Sequence, residues 1–178
     1  MRFVWAHGRL EARLEPIEAQ VLQSLAVDLL ELLGPQDAAE QDPLEALVGM
    51  QSGPVAKPAD PALARLLPDA YREDDEAAGE FRRLTEQSLR SGKRAQAEAL
   101  RRSLAPYVKG RRIPLERALA DAWLGCLNDL RLVLGTRLEV TEDTELDLPP
   151  DDPRAEALSL YGWLGWVQES LLAALAHR

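Results

Sequence analysis

Cysteine and histidine, which often carry redox, metal-binding and nucleophilic chemistry, are scarce in this sequence. The chain has 178 residues but one cysteine, Cys126, and two histidines, His7 and His177. A lone cysteine excludes an intramolecular disulfide and every zinc site that needs several cysteines. The two histidines supply neither an HExxH zinc motif nor an obvious catalytic triad. Cys126 falls on the apolar side of a predicted helix, which favours a buried side chain over a reactive thiol.

Motifs for catalysis and phosphate binding are absent as well. The sequence has no GxxxxGK[ST] loop, no GxGxxG opening a helix and no ExxH metal motif. We therefore predict a protein that is not an enzyme and holds neither a cofactor nor a metal. Carboxylates can act without a motif, so an uncharacterised enzyme with a carboxylate-lined pocket is an alternative. Asn128, Asp129 and Arg131 form the most notable polar group, which we interpret as a polar helix face bonding to a loop or to the hairpin.

Long apolar runs are missing too. No stretch approaches the length of a membrane span, and the first residues, MRFVWAHGRLEARLEP, lack the apolar segment of a signal peptide. These absences predict a cytoplasmic protein with no membrane contact. Hydrophobic residues make up 46% of the chain and charged residues 29%, as is typical of a soluble globular protein. The length suits a single domain, residues 1–178, with a substantial core.

Two long amphipathic stretches organise the predicted fold. Apolar residues recur at helical spacing through residues 116–138, and a second pattern of the same period covers residues 155–176. We expect the first helix to be the spine of the domain and the second to pack on it. Phe3 and Trp5 alternate with Arg2 and Val4 before a His7-Gly8 turn, which predicts a β-hairpin over residues 2–14. The predicted fold is mainly α, a helical bundle with a small N-terminal β-hairpin packed on it.

Further elements follow from capping residues, prolines and apolar spacing. The additional helices are predicted at residues 16–33, 43–48, 61–67, 79–90 and 93–105. Short extended segments are predicted at residues 111–115 and 138–140. The break between the helices at 79–90 and 93–105 is placed at Ser91-Gly92, and such a pair resembles a helix-turn-helix.

Basic residues are concentrated in one window of an otherwise acidic chain. Residues 82–117 hold eleven basic and three acidic residues, a net charge of +8, whereas the whole chain carries −9. Such polarity can orient a charged partner. The candidate contact residues are Arg94, Arg101, Arg102, Arg111 and Arg112. Direct DNA binding through this window is one alternative, although the net charge opposes it. The other is a solvated basic face that pairs with acidic residues of the same domain.

Two tryptophans in the tail helix form a second candidate surface. Trp163 and Trp166 lie outside the strict apolar stripe, and Gly162 and Gly165 would let another backbone approach closely. One interpretation is helix-on-helix packing within the domain. The other is a partner-binding or homodimer surface, since tryptophan is enriched in the energetic centres of interfaces.

Three stretches of the chain resemble a known family. They are DPALARLLPDAYREDD at residues 60–75, ALADAWLGCLNDLRLVLGTRLEV at 118–140 and LYGWLGWVQESLLAAL at 160–175. With a strand pair containing Trp5 before a leucine-rich helix, they resemble the mainly actinobacterial domain-of-unknown-function family numbered 2017. The resemblance implies a small helical cytoplasmic protein without established enzymatic activity. Some members are described as transcription regulators of the oxidative stress response, and members are often encoded beside the adaptor of the Clp protease.

This sequence departs from those regulators at their cysteines. The resemblance implies that those regulators use two cysteines spaced CxxxC near the N-terminus and act through an RNA polymerase sigma factor. The N-terminal segment of this sequence contains no cysteine. An intramolecular thiol switch therefore does not carry over, while partner binding can. We predict a regulatory protein that acts by protein–protein contact. The expected partner is a sigma factor, RNA polymerase or the Clp system.

Overall fold

The computed structural model describes residues 1–35, 56–71, 74–105, 112–149 and 151–176. Within these ranges the chain forms five helices and one three-stranded sheet. The predicted helix at 43–48, Arg111 and His177 lie outside the described residues. The helices are α1 (Pro16–Leu33), α2 (Pro61–Leu66), α3 (Asp75–Leu104), α4 (Arg117–Arg137) and α5 (Ala155–Ala176). The strands are β1 (Arg2–Ala6), β2 (Arg9–Arg13) and β3 (Arg112–Leu115). The mainly α fold class is confirmed.

The small sheet begins with the predicted hairpin. β1 and β2 pair antiparallel around His7 and Gly8, whose φ angles of 52° and 77° are both positive. A two-residue turn of this kind matches the right-handed twist of the strands that it joins. β3 then pairs antiparallel with β2, which places Leu10 opposite Leu115. The predicted extended segment at 111–115 is thus an edge strand, where Pro114 is tolerated because an edge residue can lack a ladder donor.

The spine helix lies at the centre of the bundle, as its periodicity predicts. α4 packs against α3 on one side and α5 on the other, and it also contacts α2 and β3. Its inward face is fully buried at Trp123, Cys126 and Leu127. Trp5 in β1 donates a hydrogen bond of 2.7 Å from Nε1 to the carbonyl oxygen of Ala174, so the hairpin is fastened to the end of α5. The first strand and the last described helix of the chain are therefore in contact.

The predicted helix pair at 79–90 and 93–105 is wrong. α3 runs without interruption for 30 residues and passes through Ser91 and Gly92. Its start is fixed earlier than predicted by Asp74, whose Oδ1 accepts a 2.9 Å hydrogen bond from the backbone N–H of Ala77. A glycine inside a helix costs about 1 kcal/mol relative to alanine, which packing of α3 on both α1 and α4 outweighs. The resemblance to a helix-turn-helix disappears with the break.

The extended segment predicted at 138–140 is wrong as well. Leu138 closes α4, and Glu139 adopts a left-handed conformation with φ of 53°. The N–H of Val140 then donates to the carbonyl oxygen of Gly135 at 2.9 Å, which satisfies one of the last helical acceptors. Because Glu139 is left-handed and Val140 bonds back to the helix, residues 138–140 do not form an extended segment.

Candidate functional site

Two arginines of the basic window cap the C-terminal end of α1. Arg94 donates to the carbonyl oxygens of Leu30, at 2.9 Å, and Gly34. Arg90, one turn earlier on α3, donates to the carbonyl oxygen of Leu33 at 2.6 Å. The last turn of α1 contains no basic residue of its own. Positive charge is favourable at a helix C-terminus. Arg90 and Arg94 of α3 therefore provide the positive charge that the last turn of α1 lacks.

Replacing Arg94 by methionine is therefore expected to destabilise the fold by about 1–3 kcal/mol, because charged hydrogen bonds to helix carbonyls are lost. Urea unfolding followed by circular dichroism measures this loss. Arg102→Met is the matched control on the same helix, since the Arg102 side chain is 71% exposed. We expect less than about 0.5 kcal/mol from it. Equal losses in the two variants would show that Arg94 is no cap.

The other candidate arginines that the structure describes are paired with carboxylates of the same domain. Arg101 and Arg102 both approach Glu98, with Arg101 at 2.9 Å and Arg102 at 3.9 Å. Arg112 lies 3.3 Å from Glu11, a carboxylate that is only 3% exposed. The side chains of Arg101, Arg102 and Arg112 remain 37%, 71% and 50% exposed. Arg102 thus keeps the most accessible guanidinium of the three.

The described basic residues of the window therefore form internal contacts rather than one uncommitted patch. This arrangement corresponds to the second alternative raised by the charge pattern, a basic face paired with acidic residues of the same domain. Surface ion pairs can exchange partners at little cost, about 0–1 kcal/mol each. Exposed arginines such as Arg102 can therefore still contact another molecule.

The polar group on α4 joins three helices instead of facing a loop or the hairpin. Asp129 is 2% exposed, and its Oδ1 accepts a 2.7 Å hydrogen bond from Nζ of Lys93 on α3. Arg131 points the opposite way, donating to Oε1 of Gln168 at 2.8 Å and lying 5.3 Å over the ring of Tyr161, both on α5. The interpretation of Asp129 as part of an outer polar face is wrong. Cys126, three residues earlier on the same side of the helix, is fully buried as well.

Cys126 is buried on the inward face of α4. Its exposed fraction is zero, as the sequence analysis expects for a small hydrophobic position. Burial, with a smaller contribution from the nearby carboxylate of Asp129, raises the pKa of the Cys126 thiol to about 12. Since the thiolate is the reactive form, this environment protects the sulfur from oxidants and electrophiles.

We expect Cys126 to resist thiol reagents in the folded protein. Raising the pKa from 9.0 to about 12 lowers the thiolate fraction at neutral pH about a thousandfold, and burial blocks access in addition. Labelling with Ellman's reagent in native buffer measures the rate, and the same chain in concentrated urea is the control. Rapid, stoichiometric labelling before unfolding would contradict the buried position.

The two tail tryptophans differ in environment. Trp163 is partly buried and packs against the core, which fits the helix-packing interpretation. Trp166, three residues later, is 49% exposed, and Leu172 on the same helix is also 49% exposed. Gly165, between Trp163 and Trp166, packs against the guanidinium of Arg131. The guanidinium atoms lie within ordinary contact distance of the position that a Cβ on Gly165 would occupy. Of the two tryptophans, Trp166 is therefore the one that the structure leaves accessible.

A cleft of about 250 Å³ is a feature that the sequence analysis missed. It lies where the hairpin turn, the end of β3, the start of α4 and the end of α5 meet, and Trp5, Leu10 and Leu175 are among its lining residues. These residues are far apart in the sequence, so no local pattern signals the cleft. Among the described lining residues Glu116 is the one carboxylate, which differs from the carboxylate-lined pocket expected of the enzyme alternative.

Within the described ranges, no cluster of three or more histidine, cysteine, aspartate or glutamate side chains is arranged to hold a metal ion. None of the helices in these ranges combines the length and the apolar character that crossing a bilayer requires.

Comparison with known proteins assigns the chain to a family. It belongs to DUF2017, a domain of unknown function, whose sequence profile matches residues 1–175. The resemblance of the three sequence stretches is thereby confirmed. The chain is also 35% identical over 181 residues to the oxidative stress regulator AosR of Mycobacterium tuberculosis (strain ATCC 25618 / H37Rv), an alignment covering 94% of this chain and 82% of the relative.

Other mycobacterial relatives show the same degree of similarity. The oxidative stress regulator AosR of Mycobacterium bovis and the putative oxidative stress regulator AosR of Mycobacterium leprae are each 35% identical, with the same coverage. No solved structure matches the chain. The relatives' names point to a regulatory role.

Proposed function

We propose that the chain is a non-enzymatic regulatory protein that acts by binding another protein of the transcription machinery, with a sigma factor as the first candidate. The observation that carries this proposal is the similarity to named oxidative stress regulators over 94% of the chain. A match of this extent covers the whole bundle rather than one shared motif. The role that the relatives' names describe is therefore a reasonable hypothesis for this chain.

The outer side of α5 is the surface that suits such contact best. Trp166 and Leu172 each expose about half of their area although both are large and apolar. Tryptophan contributes disproportionately to binding when a partner covers it. Glu169 is exposed at i+3 from Trp166 and i−3 from Leu172, so it adds an acidic group between the two apolar side chains. Arg102, with its 71% exposed side chain, is a further candidate contact.

This proposal separates partner binding from cysteine chemistry. Cys126 is the one cysteine of the sequence, and it is buried and weakly acidic. A partner that binds through Trp166 needs no thiol. The chain would then respond to oxidative conditions through its partner or its abundance, and not through its own disulfide.

Trp166→Ala tests the proposal. We expect this variant to weaken retention of the partner at least about tenfold, as truncation of a central interface tryptophan does elsewhere. Ile17→Ala is the matched control, because Ile17 on α1 is 64% exposed and equally apolar. Both variants should keep the circular dichroism and thermal unfolding of the parent. Tagged chains are incubated with RNA polymerase, sigma factors and Clp components purified from the source organism, and binding is titrated at low and moderate salt.

The outcomes separate the possible partners. Binding to a sigma factor or polymerase that Trp166→Ala weakens and Ile17→Ala leaves unchanged supports the proposal. Retention of Clp components instead would assign the surface to proteolysis. Concentration-dependent sedimentation that Trp166→Ala abolishes would assign it to a homodimer. Unchanged binding in both variants would overturn the assignment of the α5 surface.

A further inference from the structure

The cleft beside the hairpin turn has an apolar interior. Leu10 and Leu115, which face each other across β2 and β3, are 1% and 3% exposed and form its buried end. Trp5 and Leu175 also line it. The hydrogen bond from Trp5 Nε1 to Ala174 holds the indole against the end of α5. The cavity wall therefore consists of residues fixed by the sheet and by the helix.

Charged groups of both signs lie at the same cleft. Glu116 and Arg117, consecutive in the chain, line it together with Arg9 at the start of β2. The side chains of Arg9 and Arg117 are 63% and 74% exposed. Glu116 precedes α4 but its side chain caps no backbone N–H, so its carboxylate is not used in the helix start. Arg117 donates from Nε to Asp121 at 3.0 Å, which leaves its terminal nitrogens without a hydrogen bond among the described residues.

We propose that this cleft binds an α-amino acid with a large apolar side chain, as a zwitterion. Such a ligand carries an ammonium and a carboxylate on one carbon, and Glu116 and Arg117 present opposite charges on adjacent residues. Its apolar side chain would occupy the interior beside Leu10 and Leu115. The cleft volume of about 250 Å³ lies just below the range of about 300–1,000 Å³ for pockets that bind drug-sized ligands. The ligand is therefore expected to be smaller than a drug-sized molecule.

Other ligand chemistries leave part of the cleft unpaired. An apolar carboxylic acid without an amine would pair with Arg9 or Arg117 but would leave the Glu116 carboxylate without a partner. An apolar amine would face Arg9 and Arg117, and a fully polar solute would leave the interior leucines without contact. Electrostatic and apolar complementarity are both met by the amino acid, and small buried ligands gain from such combined contacts.

The location of the cleft gives binding a structural consequence. The ligand would contact the hairpin, the start of α4 and the end of α5 at once. The Trp5–Ala174 hydrogen bond otherwise joins the hairpin to the end of α5 here. A bound amino acid would add contacts among them and stabilise the folded chain in proportion to its occupancy. This site is independent of the surface around Trp166.

Titration of the full chain with L-phenylalanine tests the proposal. The ¹H–¹⁵N spectrum of the chain should show saturable shifts of the Trp5 indole N–H and of residues 8–10 and 115–117, with a dissociation constant on the order of 1 mM or lower. Trp5→Phe identifies the indole signal. 3-Phenylpropionate lacks the ammonium and phenylalaninamide lacks the carboxylate, and each should bind several-fold more weakly than the amino acid.

Substitutions at the cleft supply the second measurement. Glu116→Gln and Arg117→Gln should each weaken L-phenylalanine binding several-fold, in line with one partly exposed charge contact. Arg102→Gln is the matched control for Arg117, because the two side chains are 71% and 74% exposed and both pair with a carboxylate one turn away. Glu156→Gln, in the exposed first turn of α5, is the control for Glu116. Leu175→Trp should abolish binding by filling the cleft.

Two results would overturn the assignment. One is the absence of saturable shifts at these residues at about ten times the expected dissociation constant. The other is equal binding of phenylalaninamide and phenylalanine together with unchanged affinity in Arg117→Gln. Either result would show that the cleft does not recognise the amino acid's charged groups.

Discussion

Trp123→Ala is expected to lower the free energy of unfolding by about 3–5 kcal/mol, the range for truncating a buried aromatic residue. Trp123 is fully buried where α4 meets α3 and the sheet. Its ring lies 6.3 Å from the ring of Phe3 in an edge-to-face arrangement, and its Nε1 donates to Oγ of Ser103 at 3.1 Å. The alanine variant leaves a cavity and removes both interactions. Urea unfolding followed by circular dichroism measures the loss.

Two further variants separate volume from hydrogen bonding. Trp123→Phe keeps most of the apolar volume and should cost less than Trp123→Ala. Ser103→Ala leaves the indole N–H buried without its acceptor, which we expect to cost about 1–3 kcal/mol. Trp166→Ala is the control, because that tryptophan is 49% exposed. A smaller loss for Trp123→Ala than for Trp166→Ala would contradict the central position of Trp123.

Lys93→Met is expected to destabilise the fold by about 3–5 kcal/mol at neutral pH, since it leaves a buried charge without its partner. Asp129 is 2% exposed, and Lys93 Nζ lies 2.7 Å from its Oδ1. The double variant Lys93→Met/Asp129→Asn has no charge at this position and should recover at least half of the loss. A double variant no more stable than the single one would show that the cost does not come from the unpaired carboxylate.

The loss in Lys93→Met should depend on pH in a defined direction. Burial raises the pKa of Asp129 above its ordinary value of 3.8, while the hydrogen bond and charge of Lys93 oppose that rise. A carboxyl group with a raised pKa in the folded state stabilises the fold below its unfolded pKa, and this stability is lost as pH rises through the folded pKa. Removing Lys93 raises the folded pKa further.

The stability difference between the parent and Lys93→Met should therefore grow as pH rises above 3.8, the ordinary pKa of Asp129, and be largest at neutral pH. Urea unfolding of both proteins at about pH 5 and about pH 7.5 measures this difference. Lys93→Met/Asp129→Asn is the control and should show no such trend. A difference independent of pH across this range would mean that Asp129 does not titrate as its burial implies.

Local patterns in the sequence predicted much of the secondary structure. α1 and α5 have the predicted bounds, 16–33 and 155–176, because their apolar spacing and end signals agree. The His7-Gly8 turn fixed the hairpin register, since a two-residue loop with positive φ at both positions allows little else. α4 differs from its prediction by one residue at each end. These features depend on interactions between residues close in the chain.

The continuity of α3 shows where local patterns fail. Ser91-Gly92 is a reasonable breaking signal, yet the penalty of one glycine is only about 1 kcal/mol. Contacts with α1 and α4 along the remaining length exceed that penalty. A sequence window around residue 92 contains no information about those two helices. The prediction therefore placed a turn where packing maintains a helix.

The candidate site was predictable only in part, because exposure is a property of the assembled bundle. The sequence identified Trp166 as a partner-binding candidate, and its half-exposed ring keeps that hypothesis open. It also proposed Arg94, whose guanidinium is instead committed to α1. The acceptors of Arg94 lie 60 and 64 residues earlier in the chain, and the partner of Asp129 lies 36 residues earlier. Separations of this size leave no periodic trace in a sequence.

The sequence by itself determined the helical periodicity, the hairpin, the family and the absence of a disulfide. Those properties follow from residue types and spacings within a turn or a strand. The tertiary structure decided which arginines cap helices, that Asp129 is buried against Lys93, and that Glu116 and Arg117 meet an apolar cleft with Trp5 and Leu175. It alone could do so because desolvation and pairing depend on which distant groups come within a few ångströms after the chain has folded.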